Sequence, residues 1–146
     1  NTLDSGVAQR YGCDLRAARW MEKFGDWKHA DCLSGWRAGE SSATWEFRTV
    51  EPGSFLLDVE YTCPEAGDYS EWCLQVGDTE VLFPLLDSGE RAKRAAFGWG
   101  ELPRFRLYRV GQIDLPGPGS CRLAVRPLDA AGAAVRMAAL TLTPVG

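Results

Sequence analysis

The stretch Ser42–Cys63 reads SATWEFRTVEPGSFLLDVEYTC. In its first half Ala43, Trp45 and Phe47 alternate with Thr44, Glu46 and Arg48. In its second half Phe55, Leu57, Val59 and Tyr61 alternate with Leu56, Asp58, Glu60 and Thr62. A period of two puts one face of each run in a core and the other in water. Glu51-Pro52-Gly53-Ser54 separates the runs: Pro52 presets φ, and Gly53 can take a positive φ. The pattern predicts two strands joined as a β-hairpin.

The same period recurs downstream. Trp72, Leu74 and Val76 share one face of Glu71–Val76, and Gly77-Asp78-Thr79 turns the chain into Glu80–Pro84. Phe105–Leu115 reads as a strand bulged near Gly111, where the apolar phase shifts. Pro116-Gly117-Pro118-Gly119 is a turn, and Ser120–Arg126 and Val135–Thr143 are the last two strands. Upstream the signal weakens. Residues 1–34 read as an irregular N-terminal part, with a short strand near Val7-Ala8. Leu15–Trp20 reads as a strand, with a short helix competing because Arg16, Ala17, Ala18 and Arg19 favour helix. Met21–Glu40 and Leu85–Arg104 read as long irregular loops. Many short strands with Gly/Pro turns imply an all-β fold, an antiparallel β-sandwich of jelly-roll type, as a single domain over residues 1–146. Its expected core is Trp45, Phe47, Leu57, Val59, Tyr61, Leu74, Val76, Leu123 and Val125.

Several segments carry a family resemblance: Trp45-Glu46-Phe47, Pro52-Gly53, Asp58–Pro64, Val76-Gly77-Asp78, Val110–Pro116, Pro118-Gly119, Leu123-Ala124-Val125 and Leu140–Pro144. From roughly Gly35 to the end, the chain resembles the C-terminal β-sandwich module of bacterial alpha-L-fucosidases, which also occurs on other secreted glycosidases and some sulfatases. The resemblance implies a galactose-binding-like fold, a secreted or periplasmic location, a glycan as ligand and the catalytic domain of a parent enzyme as partner. The matching positions are mostly turns and core residues, so they speak to fold more than to ligand.

Composition narrows the function classes. The formal net charge is −4 and no basic stripe appears, which argues against nucleic acid as a partner. No apolar run approaches the length of a membrane-spanning helix. Asn1 is not a natural start, and the chain reads as a mature or excised piece. Cys13, Cys32, Cys63, Cys73 and Cys121 show no CxxC or metal-like spacing. Cys121, in phase with Leu123 and Val125, reads as a buried thiol. Cys13 with Cys32, or Cys63 with Cys73, could form disulfides, and unpaired thiols are the equal alternative.

Catalytic chemistry finds little support. His29 is the only histidine, and there is no GxSxG elbow, no phosphate loop and no GxGxxG. Asp26, Asp31, Glu40, Asp87, Glu90 and Glu101 fall in the expected loops. Sequence spacing cannot set the separation that glycosidase carboxylates require, and solvated loop charges are the plainer reading. Asp4, Asp14 and Asp114 could contribute to a structural calcium, but no DxDxDG-like loop supports them.

Sugar binding finds more. If successive strands run in opposite directions, the tight turns at Glu51–Ser54, Gly77–Thr79 and Pro116–Gly119 share one end. Met21–Glu40, Cys63–Ser70, Leu85–Arg104 and Leu128–Gly132 then share the other, which is how sandwiches build binding sites. Aromatic rings meet the apolar faces of sugars, and carboxylates and guanidinium forks meet their hydroxyls. Trp27, Trp36, Trp99 and Tyr69 lie in those loops. The expected carbohydrate-binding set is Trp36 and Trp99 for stacking, with Arg37, Glu40 and Arg104 for the hydroxyls. The competing expectation is that these rings plug the end of the core, giving a structural module that packs on a catalytic domain and binds no sugar.

Overall fold

The computed structural model describes residues 2–23, 26–63, 70–86, 93–94, 101–102 and 105–145. Its strands are β1 (Thr2–Asp4), β2 (Gln9–Tyr11), β3 (Asp14–Lys23), β4 (Asp26–Ser34), β5 (Ser42–Thr49), β6 (Gly53–Thr62), β7 (Ser70–Val76), β8 (Thr79–Leu85), β9 (Lys93–Arg94), β10 (Glu101–Leu102), β11 (Arg106–Leu115), β12 (Gly119–Pro127) and β13 (Arg136–Pro144). Two antiparallel sheets form the sandwich. One has the order β11-β6-β13-β4-β3, with β1 also on β13; the other has β2-β5-β12-β7-β8. Strands β9 and β10 pair with each other. The only helical turns among the described residues are short 3-10 turns at Ser5–Val7 and Ala130–Ala134.

The alternation positions the core as expected. Leu57, Val59, Leu74, Leu123 and Val125 are fully buried, and Trp45, Tyr61 and Val76 nearly so; Phe47 is half-buried. The bulge near Gly111 is present as a register shift between Arg109 and Gly111. Residues Asp14–Lys23 form a strand, which decides against the competing helix. Val7 instead ends a 3-10 turn, and the nearby strand starts at Gln9.

Two expectations need correction. Strands β5 and β6 do not form a hairpin. β5 pairs with β2 and β12, whereas β6 pairs with β11 and β13, so the chain crosses from one sheet to the other between Thr49 and Gly53. Each strand buries one face, and two such strands can lie side by side or face each other across a core about 10 Å thick. Alternation alone does not distinguish the two arrangements. Second, Met21–Glu40 is not one loop. β3 and β4 pair in register from Asp14↔Ser34 to Lys23↔Asp26, and among the described residues of that stretch only 35–40 lie outside the strands. This hairpin meets its neighbour β13 at a single register pair, Met137↔Leu33.

None of the five cysteines is in a disulfide, so neither Cys13–Cys32 nor Cys63–Cys73 forms. Cys121 is buried as expected. Burial pushes the Cys13, Cys73 and Cys121 thiols above the ordinary cysteine range. They are therefore held as neutral S–H groups, poor nucleophiles at neutral pH. No helix among the described residues is long and apolar enough to cross a membrane.

Candidate functional site at the loop end

The division of the ends follows from register. The turns at Glu51–Pro52 and Gly117 touch: a Cβ on Gly117 would lie 2.8 Å from the Glu51 carbonyl carbon. The Thr49 hydroxyl donates to the carbonyls of Pro116 at 2.7 Å and Gly119 at 3.3 Å, closing that end. Residues 35–41 lie at the opposite end, since β5 begins beside the end of β12 with Ala43↔Val125.

Local chemistry shapes the 35–41 loop. Gly35 at φ 70° turns the chain after β4. The backbone N–H groups of Glu40 and Ser41 both donate to the Arg37 carbonyl, at 3.1 and 2.8 Å, making a compact turn. Ser41 is buried. Its hydroxyl accepts from the Arg37 N–H at 2.7 Å and donates to the Gly12 carbonyl at 2.6 Å, tying the turn to the segment after β2. Arg37 and Glu40 project outward, with Nε and Oε2 3.4 Å apart and both side chains about two-thirds exposed (65% and 64%).

Beside this turn lies an open groove of about 360 Å³, lined by Gly39, Glu40, Ser41 and Ser42 on one side and Arg126, Pro127 and Leu128 on the other. Arg126 lies weakly against Glu80, with Nη2 3.8 Å from Oε1, and its buried Nε–H has no hydrogen-bond partner. The 127–134 wall is held by Asp129, whose carboxylate accepts from the Ser70 hydroxyl and the Glu71 N–H, both at 3.1 Å. Next to Ser42, on the edge strand β2, stands Tyr11, 49% exposed. The groove thus offers a carboxylate, a guanidinium and hydroxyls, with an aromatic ring on the adjoining strand. Such groups can meet the hydroxyls and C–H faces of a small polar ring.

The structure sorts the expected site residues. Arg37 and Glu40 stand together at the rim. Trp36 does not join them: it is 1% exposed, its indole N–H donates to the Leu33 carbonyl at 3.2 Å, and its ring sits edge-on to Trp72 at 4.9 Å and 85°. A ring buried on both faces cannot stack on a sugar, so Trp36 is a core residue. Trp99, Arg104 and Tyr69 lie outside the described residues, as do Asp87 and Glu90. Trp27, His29, Asp26 and Asp31 fall in strand β4, not in a loop. Asp4, Asp14 and Asp114 do not converge: among the described residues no three His, Cys, Asp or Glu side chains gather as a metal site would require. Tyr11 and Arg126 were missed. Tyr11 precedes a glycine in an irregular stretch, and Arg126 lies near the end of a strand, so only pairing with β5 brings Arg126 to the groove and Tyr11 beside it.

No protein-family model matches the chain. No curated protein matches it either. Solved structures do. A family 35 carbohydrate binding module from Clostridium thermocellum superposes with a TM-score of 0.66 at 11% identity, over 99% of each chain. Its fold is shared with carbohydrate-binding modules. The CBM6cm-2 module of Cellvibrio mixtus lichenase 5A, solved in complex with cellotriose, superposes with a TM-score of 0.64 at 9% identity, over 100% of this chain and 98% of that one. The Podospora anserina GH26-CBM35 β-(1,4)-mannanase is similar at a TM-score of 0.65 and 17% identity; the match covers all of this chain but only 28% of the mannanase.

Proposed function

We propose that this chain is a non-catalytic, carbohydrate-binding accessory module of a secreted glycoside-processing enzyme, and that the loop-end groove is its sugar site. The observation that carries this is the groove itself: Glu40, Ser42 and Arg126 converge at the end where the longer connections gather, on a fold shared with sugar-binding modules. The pairing of Glu40 with Arg37 fixes an acceptor and a donor side by side. The Arg126 side chain is 42% exposed and held only loosely by Glu80, which leaves its outer guanidinium N–H groups to meet a sugar hydroxyl. Tyr11 is an exposed ring on the strand beside Ser42, and Trp99 and Arg104 belong to the proposal as further loop-end contributors. The nature of the parent enzyme, an alpha-L-fucosidase or a related glycosidase, rests on the sequence resemblance.

A shallow open groove immobilises few groups and competes with water for each hydroxyl. Affinity should be weak, with Kd on the order of 0.1–1 mM. The test is NMR titration of the protein with fucose, galactose and manno- and cello-oligosaccharides, following the amides of Gly39–Ser42. Glu40→Gln and Arg126→Ala should each weaken binding about tenfold while the fold is retained. If no saccharide moves these amides at tens of millimolar, the module that only packs on a catalytic domain is the better account.

A further inference from the structure

A groove larger than the loop-end one lies elsewhere. It opens at the opposite, tight-turn end, about 790 Å³ in volume, in the size range of small-molecule sites. Its walls are Phe47 from one sheet and Phe55 from the other, both half-buried. Its floor is the core itself, Leu115 and Leu142. The sheet-crossing segment that forms its lip is braced: Thr49 bonds the neighbouring turn, and Gly117 lies against Glu51 and Pro52 so closely that no Cβ fits. The groove is therefore preformed, and filling it would cost little ordering of the chain.

Two features of the rim select the ligand. Arg48 and Glu51 both line the groove, and among the described residues neither makes a side-chain hydrogen bond or ion pair. One is a fork of donors, the other an acceptor, and they stand three residues apart without pairing. An anion would meet Arg48 but be opposed by Glu51, and a cation the reverse. A purely apolar molecule would use the phenylalanines and ignore both charges. A neutral, polyhydroxylated ring answers to all four groups, its C–H face on Phe47 and Phe55 and its hydroxyls to Arg48 and Glu51.

We propose that the tight-turn end is a second saccharide site, taking a neutral sugar ring or the end of a neutral oligosaccharide, at the pole opposite the loop-end groove. It stands on its own groove and does not require the loop-end site to bind.

The experiment is NMR titration with neutral manno-, cello- and galacto-oligosaccharides, reading the amides of Thr49–Phe55 apart from those of Gly39–Ser42. The expected result is saturable movement at Thr49–Phe55 that Arg48→Ala/Glu51→Gln weakens about tenfold or more. Both side chains are exposed, so the double variant should stay folded. It should leave any movement at Gly39–Ser42 unchanged. Silence at Thr49–Phe55 with every saccharide at tens of millimolar overturns the proposal, whatever the loop end does. So does movement that survives the double variant. Saturation there by cyclohexanol but by no sugar assigns the groove to an apolar ligand, and movement on concentrating the protein alone assigns it to a second copy of the chain; either overturns it.

Discussion

Trp36 shows how a single residue can be read correctly as to segment and wrongly as to environment. It falls in the stretch Met21–Glu40, expected as a long loop at the loop-rich end, which suggested an exposed platform. The positive φ of Gly35 brings it inward, where it meets Trp72 edge to face. Loop residues are not bound to be exposed; the chain can fold a ring back over the end of a sandwich. We therefore expect Trp36→Ala to cost about 3–5 kcal/mol of stability, as for other buried aromatic truncations. Urea unfolding measures this, and a loss below about 1 kcal/mol would mean the ring is not part of the core. Trp45 and Leu57 were legible for the opposite reason: each sits inside a regular alternation, and period two states burial directly. Arg37 and Glu40 were legible as polar loop residues, but the meeting of Glu40 with Arg126 across one groove was not. Nothing in sequence says which strand end lies beside which loop.

Elements decide whether the groove exists. The turn carrying Glu40 is seated on Gly12, which has φ +67° and leaves no room for a side chain: a Cβ there would lie 2.8 Å from the Glu40 carbonyl oxygen. Gly12→Ala should therefore do two things together. It should lower stability by about 1–3 kcal/mol through left-handed backbone strain and the clash, and it should weaken saccharide binding by moving the Arg37–Ser41 turn. Gly39 is the control. It also has a positive φ, +78°, but nothing lies within 4 Å of its Cβ position. Gly39→Ala should carry the backbone cost alone, about 1 kcal/mol. Thermal melts and titration calorimetry on the two variants separate the terms; equal losses would show that the close approach at Gly12 is not a constraint. The hairpin β3–β4 and the crossing from β5 to β6 mark where element-scale reading stopped. In the first, Leu15–Trp20 was legible as a strand but its partner β4 was not, because Met21–Glu40 carries Gly, Asp and Trp with no sustained period of two. In the second, the strands were right and their partners wrong, because partners are a long-range property.

At the scale of the molecule, the sandwich class was legible from turn spacing and alternation, and so was the separation of tight turns from longer connections. The crossing between β5 and β6 has a further consequence, for the order of assembly. Because these sequence neighbours sit in different sheets, neither can serve as the other's first template. The strand that joins β5 to β7 is β12, and the one that joins β6 to β4 is β13. Both central strands are thus the last to be made. A chain emerging from the ribosome can form the local hairpins β3–β4 and β7–β8, but it cannot close either sheet until residues 119–144 are available. Loop closure over such separations is what makes sandwiches fold slowly, in milliseconds to seconds. A chain stopped at Pro116 keeps all six tryptophans yet should lack the near-UV signal of a packed core and be cleaved rapidly by protease, because the strands that would unite its halves have not been synthesised.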